Sequence, residues 1–233
     1  MWNFEEGEIL AFDKPLRWTS FDLVAKVRYN LCRKLRKKKL KVGHSGTLDP
    51  LATGVVIVCT GKKTKLIEQL QYDVKEYVAT LQLGATTPSY DLEKEVNETF
   101  PTAHITRELI DRTIPQFLGE QWQVPPMFSA VQINGKRAYE LARKGEEVEL
   151  KPKLLKIDEI EVLSFDAGTM QLTIRVVCSK GTYIRALARD IGERLDSGAH
   201  LTALRRTRVG DVRVEDCMTI DGFLEELNQY EYV

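Results

Sequence analysis

The stretch that decides the fold runs from Gly43 to Thr60, GHSGTLDPLATGVVIVCT. Its second part, Gly54–Thr60 (GVVIVCT), is a short, continuous, β-branched apolar run. A run of that length reads as a buried strand rather than as a helix. Its first part, Gly43–Pro50 (GHSGTLDP), reads as a loop. There Gly43 and Gly46 permit backbone conformations closed to other residues, and Pro50 biases Asp49 toward an extended backbone. Asp49 thus presents a carboxylate between a basic stretch on one side and a buried strand on the other.

Working outward toward the N-terminus, Glu8–Phe12 has the pattern of a short strand closed by Asp13-Lys14-Pro15. Thr19 or Ser20 can cap a helix whose apolar residues Phe21, Val24, Val27 and Leu31 recur at helical spacing. Toward the C-terminus, Thr64 opens a short helix to about Gln71. Tyr77, Ala79, Leu81 and Leu83 alternate with their neighbours at the period of a strand. Thr106 precedes a helix carrying Leu109, Ile110, Ile114 and Phe117, and Lys136–Lys144 makes another, ended by Gly145. Leu154–Leu163 and Met170–Cys178 read as two strands joined at Asp166-Ala167-Gly168, Tyr183–Leu195 as an amphipathic helix, and Thr219–Leu227 as a closing helix. Strands and helices do not alternate regularly, which disfavours a doubly wound parallel sheet. The expectation is an α+β fold, one domain with a mixed, mainly antiparallel sheet flanked by helices.

The 233 residues, 43% hydrophobic and 29% charged, suit a globular protein with a real core. No window approaches the roughly 18 apolar residues of a membrane span, and the acidic start MWNFEEGEIL does not resemble a signal peptide. Both point to the cytoplasm and away from a membrane. Cys32, Cys59, Cys178 and Cys217 are scattered, and with only His44, His104 and His200 beside them no zinc spacing or disulfide framework emerges.

Lysine plus arginine and aspartate plus glutamate each number 34, so net charge is formally zero. The distribution is uneven. Arg33–Lys41 (RKLRKKKLK) holds seven basic residues in nine positions, Arg33, Lys34, Arg36, Lys37, Lys38, Lys39 and Lys41, ending just before the glycine loop. Arg205, Arg206 and Arg208 form a second basic cluster, while acidic residues gather in Asp91–Glu98, Glu146–Glu149, Asp158–Glu161 and the final tail. Such a run is either a solvated face or a contact for nucleic-acid phosphates.

On local chemistry alone Asp49 is a turn residue that satisfies nearby backbone N–H groups. A phosphate-binding loop is excluded, because Gly61-Lys62-Lys63-Thr64 has Val56 where that motif needs glycine and Lys63 where it needs Ser or Thr. An aspartyl nucleophile of the phosphatase type is weak, for want of a second carboxylate near Asp49.

GHSGTLDPLATGVVIVCTGKKTK (residues 43–65) nevertheless resembles the signature of the TruB family of tRNA pseudouridine synthases, close to GHxGTLDPxAxGVLxxxxGxxTK. Four further segments agree in order. LAFDKPLRWTSFD resembles the N-terminal Lys-Pro motif, carried by Lys14 and Pro15, and VPPMFSAVQINGKRAYELARKG resembles PPxYSAxKxxGxxxYxxARxG. CSKGTYIRALARDIG resembles CSKGTYIRxLxxDLG, and GAHLTALRR resembles GAHxxxLRR. The resemblance spans about residues 8 to 214.

The resemblance implies a pseudouridine-synthase-like domain over residues 1–218 and a reaction that breaks the N1–C1′ bond of a uridine and rejoins the uracil through C5, without cofactor or metal. It places Asp49 as the nucleophile, Tyr77 on the target base and Arg185 as the partner of the catalytic carboxylate. Tyr183 and Leu204 would line the base pocket. His44 would fill the space left by an extruded base, and the basic run would contact phosphates. The implied substrate is the T-arm of tRNA, modified at uridine 55 by a monomer needing no protein partner. Guide-RNA-dependent relatives typically carry a KVTG-type segment where this chain has Leu51-Ala52-Thr53-Gly54. Bacterial relatives commonly continue into a small PUA domain, whereas about 15 residues follow Met218 here, so residues 219–233 are expected to be a short helix or tail. Two departures weaken any role at their positions: Phe128 and Gln132 stand where the family has Tyr and Lys.

Overall fold

The computed structural model describes residues 2–129, 131–133, 135–142, 144–145 and 149–229. The first elements are β1 (Ile9–Lys14), α1 (Ser20–Lys34), β2 (Val42–His44), β3 (Ala52–Thr60), α2 (Ile67–Leu70) and β4 (Lys75–Leu83). Next come β5 (Ala85–Thr86), β6 (Glu98–Thr99), α3 (Arg107–Thr113), β7 (Gly119–Gln123), β8 (Gln132–Ile133), β9 (Lys136–Arg137) and α4 (Ala138–Ala142). The chain ends with β10 (Lys153–Asp166), β11 (Gln171–Cys178), α5 (Ile184–Arg194), β12 (Ala199–Val209), β13 (Val212–Arg213) and α6 (Ile220–Gln229). This is the α+β class expected, with antiparallel pairing between β1 and β3, β2 and β3, β10 and β11, and β7 and β10. Among the described residues no helix is long and apolar enough to cross a membrane.

The chain gathers into two compact units, Met1–Tyr77 with Arg205–Val233, and Val78–Leu204. In the first, β3 is central. It pairs with β1 from Ile9↔Cys59 to Lys14↔Gly54 and with β2 from Val42↔Thr60 to His44↔Val58. Its residues from Gly54 to Thr60 are buried, as the apolar run demands. On its other side the second half of β12 follows. Gly54 is the residue that allows this approach: its φ is +110°, and a Cβ there would lie 2.1 Å from the Arg206 carbonyl oxygen. Phe223 of α6 closes the unit edge-on against Phe12, with ring centroids 5.4 Å apart.

In the second unit β4, β11, β10 and β7 lie in that order. Fully buried Leu81, Leu172, Ile174, Ile157 and Ile110 pack its interior with Leu187 of α5. β4 shows strict alternation, every odd-numbered residue from Lys75 to Leu83 buried. The two strands predicted around Asp166–Gly168 appear as β10, longer than the pattern suggested, and β11, which starts one residue later than expected.

Several local expectations are corrected. Phe21 is 65% exposed, because the buried face of α1 is Ser20, Leu23, Val24, Val27 and Leu31, and Phe21 lies well round the helix from it. The segment predicted as a helix from Thr64 begins inside a 3-10 turn, Gly61–Leu66, and is α-helical over Ile67–Leu70. Beyond Thr113 the chain tightens to a 3-10 turn, Ile114–Phe117, where Pro115 offers no N–H to continue an α-helix. Lys136 and Arg137 form a two-residue strand paired with Gln132 and Ile133, so the helix starts at Ala138. Arg143, residues 146–148 of the acidic cluster and residues 230–233 of the acidic tail lie outside the described residues.

Candidate active site

Asp49 sits in a loop whose backbone is tied down on both sides. Thr19 caps α1 through a capping box with Asp22, each backbone N–H reaching the other's side chain at 2.9 Å. That leaves Ser20, at the first helical position and buried, free of capping duty. Its hydroxyl donates to the Leu48 carbonyl (3.2 Å) and accepts from the Leu48 N–H (2.9 Å), so one side chain serves both backbone groups of the residue before Asp49. The Arg17 N–H reaches the Pro50 carbonyl at 2.7 Å, and the Ala52 N–H reaches that of Asp49 at 3.0 Å.

From β12 comes a second clamp. The Arg206 guanidinium donates to the carbonyls of Val55 (2.7 Å), Gly46 (3.2 Å) and Thr47 (3.3 Å). It is 3% exposed, so the second basic cluster is not an open basic surface. Arg205 instead pairs with Asp13 at 2.7 Å, and Arg208 faces Glu76 at 3.7 Å. Gly43 and Gly46 do not adopt the left-handed backbone that only glycine takes readily; the clamps, not glycine freedom, shape the loop.

Lys14 is fully buried and donates to the carbonyls of Pro15 (2.9 Å) and Trp18 (2.6 Å). Burial pulls its ammonium down to a pKa of about 8, against the attraction of Asp49 and with a further push from Arg206. Asp49 itself is half-buried rather than enclosed. His44 ends β2, its ring pushed below the ordinary imidazole range by burial and by Arg206, against a bond to the Gly46 backbone that raises it. Its Nδ1 is buried without a hydrogen-bond partner among the described residues. Tyr77 occupies an inward position of β4 and is 8% exposed. Asp49, His44 and Tyr77 therefore belong to the first unit.

Arg185, Tyr183 and Leu204 belong to the second. The Arg185 side chain is buried on α5, donating to the carbonyls of Ser89 (3.2 Å) and Phe128 (2.8 Å), with its Nε 3.8 Å from the Asp91 carboxylate. Tyr183 is the residue from which α5 starts, and Gln123 fixes it: the carboxamide accepts from the Tyr183 N–H (2.9 Å) and donates to its carbonyl (3.2 Å). Leu204 is half-buried on β12. Ser20, Gln123 and Arg206 act on backbone atoms, which leave no residue-type signal in a sequence; Lys14 was visible only as part of a motif.

Of the basic run, Arg33, Arg36, Lys37, Lys38, Lys39 and Lys41 are exposed, and Lys34 is half-buried with its ammonium on the Asn228 carbonyl (2.9 Å). Lys37 pairs with Glu5. Leu35 and Leu40 are buried and anchor the run from beneath.

A partly exposed carboxylate on a loop held by these bonds has a geometry that can serve covalent catalysis. The chain belongs to the TruB family of pseudouridylate synthases: residues 33–184 match the family's N-terminal domain, and residues 185–232 match the tRNA pseudouridylate synthase B C-terminal domain. It is an isomerase of the pseudouridine synthase class. Among its relatives, the tRNA pseudouridine synthase B of Phocaeicola vulgatus is 67% identical over 229 residues, covering 98% of this chain and 97% of that one. That of Flavobacterium johnsoniae is 52% identical, covering 97% and 98%. Of solved structures, a chain of a Cbf5-Nop10-Gar1 complex superposes with a TM-score of 0.71 at 28% identity, covering 98% of this chain and 58% of that one. A chain of an H/ACA RNP bound to a substrate RNA containing 2′-deoxyuridine gives 0.68 at 27%, covering 98% and 57%. This chain thus spans little more than half the length of those solved chains.

Proposed function

We propose that this chain converts uridine 55 in the TΨC loop of tRNA to pseudouridine, with Asp49 as the nucleophile. The tRNA specificity follows the relatives named above, which are tRNA pseudouridine synthases over nearly their whole length. In the reaction the N1–C1′ bond breaks, the uracil turns, and a C5–C1′ bond forms. The C5 hydrogen leaves as a proton and N1 acquires one. The target base lies inside a folded loop, so it must be extruded first. His44 takes the vacated space, Tyr77 stacks on the base, Tyr183 and Leu204 line its pocket, and Arg185 holds the catalytic charge. The basic run supplies salt-dependent contacts with the T-arm backbone. The chain works as a cytoplasmic monomer with no obligatory protein partner and no cofactor.

The observation that carries this reading is the Asp49 loop, locked by Ser20 and Arg206 while Asp49 itself is only partly buried. Incubating the purified chain with an unmodified tRNA transcript and mapping pseudouridine tests it. Wild type should yield product at position 55 and Asp49→Asn none. Equal inactivity of both proteins with intact tRNA binding would point instead to an RNA-binding module on the same scaffold.

A further inference from the structure

The acidic N-terminus folds into a built turn. The Gly7 N–H donates to the Asn3 carbonyl (2.8 Å), the Asn3 N–H to Glu8 Oε1 (2.6 Å) and the Glu6 N–H to Asn3 Oδ1 (3.1 Å). The turn is docked on the end of β3, where the Glu8 N–H reaches Thr60 Oγ1 and the Thr60 N–H reaches the Glu8 carbonyl, both at 2.9 Å. Gly7 has φ +117°, and a Cβ there would stand 2.6 Å from both Lys63 N and Thr60 O, so the docking requires glycine.

This fixed turn holds two carboxylates against cations from two separate segments. Glu5 pairs with Lys37 of the basic run, and both oxygens of Glu6 sit 2.7 and 2.8 Å from Lys62 Nζ in the 3-10 turn after β3. The segments adjoin, since the Gly61 N–H donates to the Lys41 carbonyl at 2.9 Å. Lys38, Lys39 and Lys41 are exposed on the run, and Lys63 is half-buried beside Lys62.

We infer that the run and Lys62–Lys63 form one binding surface for RNA phosphodiester groups, and that Glu5 and Glu6 are built-in competitors for it. The inference rests on the reading that the chain acts on tRNA. The Glu6–Lys62 pair is well exposed and the Glu5–Lys37 pair more than a third exposed, and such pairs are weak, so they give way readily to a stronger anion. A polynucleotide is that anion, because each phosphate it brings also releases a condensed counterion. A small anion lacks that gain, so the two carboxylates screen the surface against it while RNA displaces them. Each displaced carboxylate must take up a cation, which reduces the net ion release seen on binding.

The test measures tRNA affinity across a salt series for wild type and for Glu5→Gln/Glu6→Gln. The variant should bind about 3- to 10-fold more tightly at low salt, with a log–log salt slope steeper by up to about 2. Lys62→Ala/Lys63→Ala should weaken binding, and more so in the glutamine background. Thermal melting checks the fold, and Glu6→Gln alone, which leaves the Glu5 contacts in place, should show the same direction. An affinity and slope equal to wild type, in a preparation whose wild type modifies tRNA, overturn this inference alone. A wild type that neither binds nor modifies tRNA overturns it together with the proposed function.

Discussion

Replacing Arg206 with lysine separates a loop clamp from an RNA contact. The guanidinium makes three bonds to backbone carbonyls, at 2.7 Å to Val55, 3.2 Å to Gly46 and 3.3 Å to Thr47. An ammonium lacks the planar fork and can serve only part of that set. A bond from a charged donor contributes about 1.5–3 kcal/mol, and the two bonds to Gly46 and Thr47 are long, so their loss costs about 3 kcal/mol. The same loss frees the segment leading to Asp49, and a displacement of about 1 Å at a reacting group costs on the order of 100-fold in rate. Arg206→Lys should therefore lower the midpoint of urea unfolding and slow single-turnover isomerisation about 10- to 100-fold. The rate can be followed by release of tritium from C5 of the substrate uridine. Affinity for tRNA and its salt dependence should stay near wild type, because the side chain is 3% exposed. A variant with normal stability and rate but a flattened salt slope would refute the clamp and return Arg206 to the RNA surface.

Three more outcomes follow from the same geometry. Gly54→Ala puts a Cβ 2.1 Å from the Arg206 carbonyl at φ +110°, so this protein should lose well over about 3 kcal/mol in denaturant titration or fail to accumulate in soluble form. Ser20→Ala strands the buried N–H and carbonyl of Leu48, which should cost about 2 kcal/mol and lower kcat more than it raises KM. Lys14→Met bears on pH: with the folded pKa near 8 and the ordinary lysine value at 10.5, the unfolded chain binds more protons between those values, so wild-type stability gains a contribution that rises with pH across that window. Cys217, its pKa raised to about 11, contributes the opposite slope over the upper part of the range in both proteins, so the test is the unfolding free energy of wild type minus that of the variant, which should rise from about pH 8 to 10.5 and would stay flat if burial did not shift Lys14.

Elements governed by local pattern were legible in the sequence. β3 follows from an uninterrupted β-branched run, β4 from strict alternation and α1 from its cap and spacing. Errors arose where packing, rather than spacing alone, decides the outcome. Phe21 satisfies helical spacing yet faces solvent, because Leu23 and Ser20 claim the inner face. The glycines of the Asp49 loop looked like the residues that shape it, whereas the demanding position is Gly54, where β12 passes within contact distance. Asp49 as a chemical group emerged only from the order of five motifs. The supports of the site residues did not emerge at all: Ser20 and Arg206, which hold the Asp49 loop, and Gln123, which holds Tyr183, bond backbone atoms and look like any others, and Arg206 reads as surface charge until burial shows otherwise.

The clamp on the Asp49 loop has a consequence for biosynthesis. The loop leaves the ribosome early, and β1 and β3 can pair as soon as residue 60 is made. Arg206 follows 160 residues after Gly46 and 159 after Thr47. The Asp49 loop consequently spends most of that interval held by Ser20 and Arg17 but without its second clamp, and the late closure of such distant contacts slows folding. A nascent chain halted before β12 would carry every residue of the GHSGTLDP loop but not the grip that sets it. Activity should arise only once β12 is made and Arg206 can close on the loop.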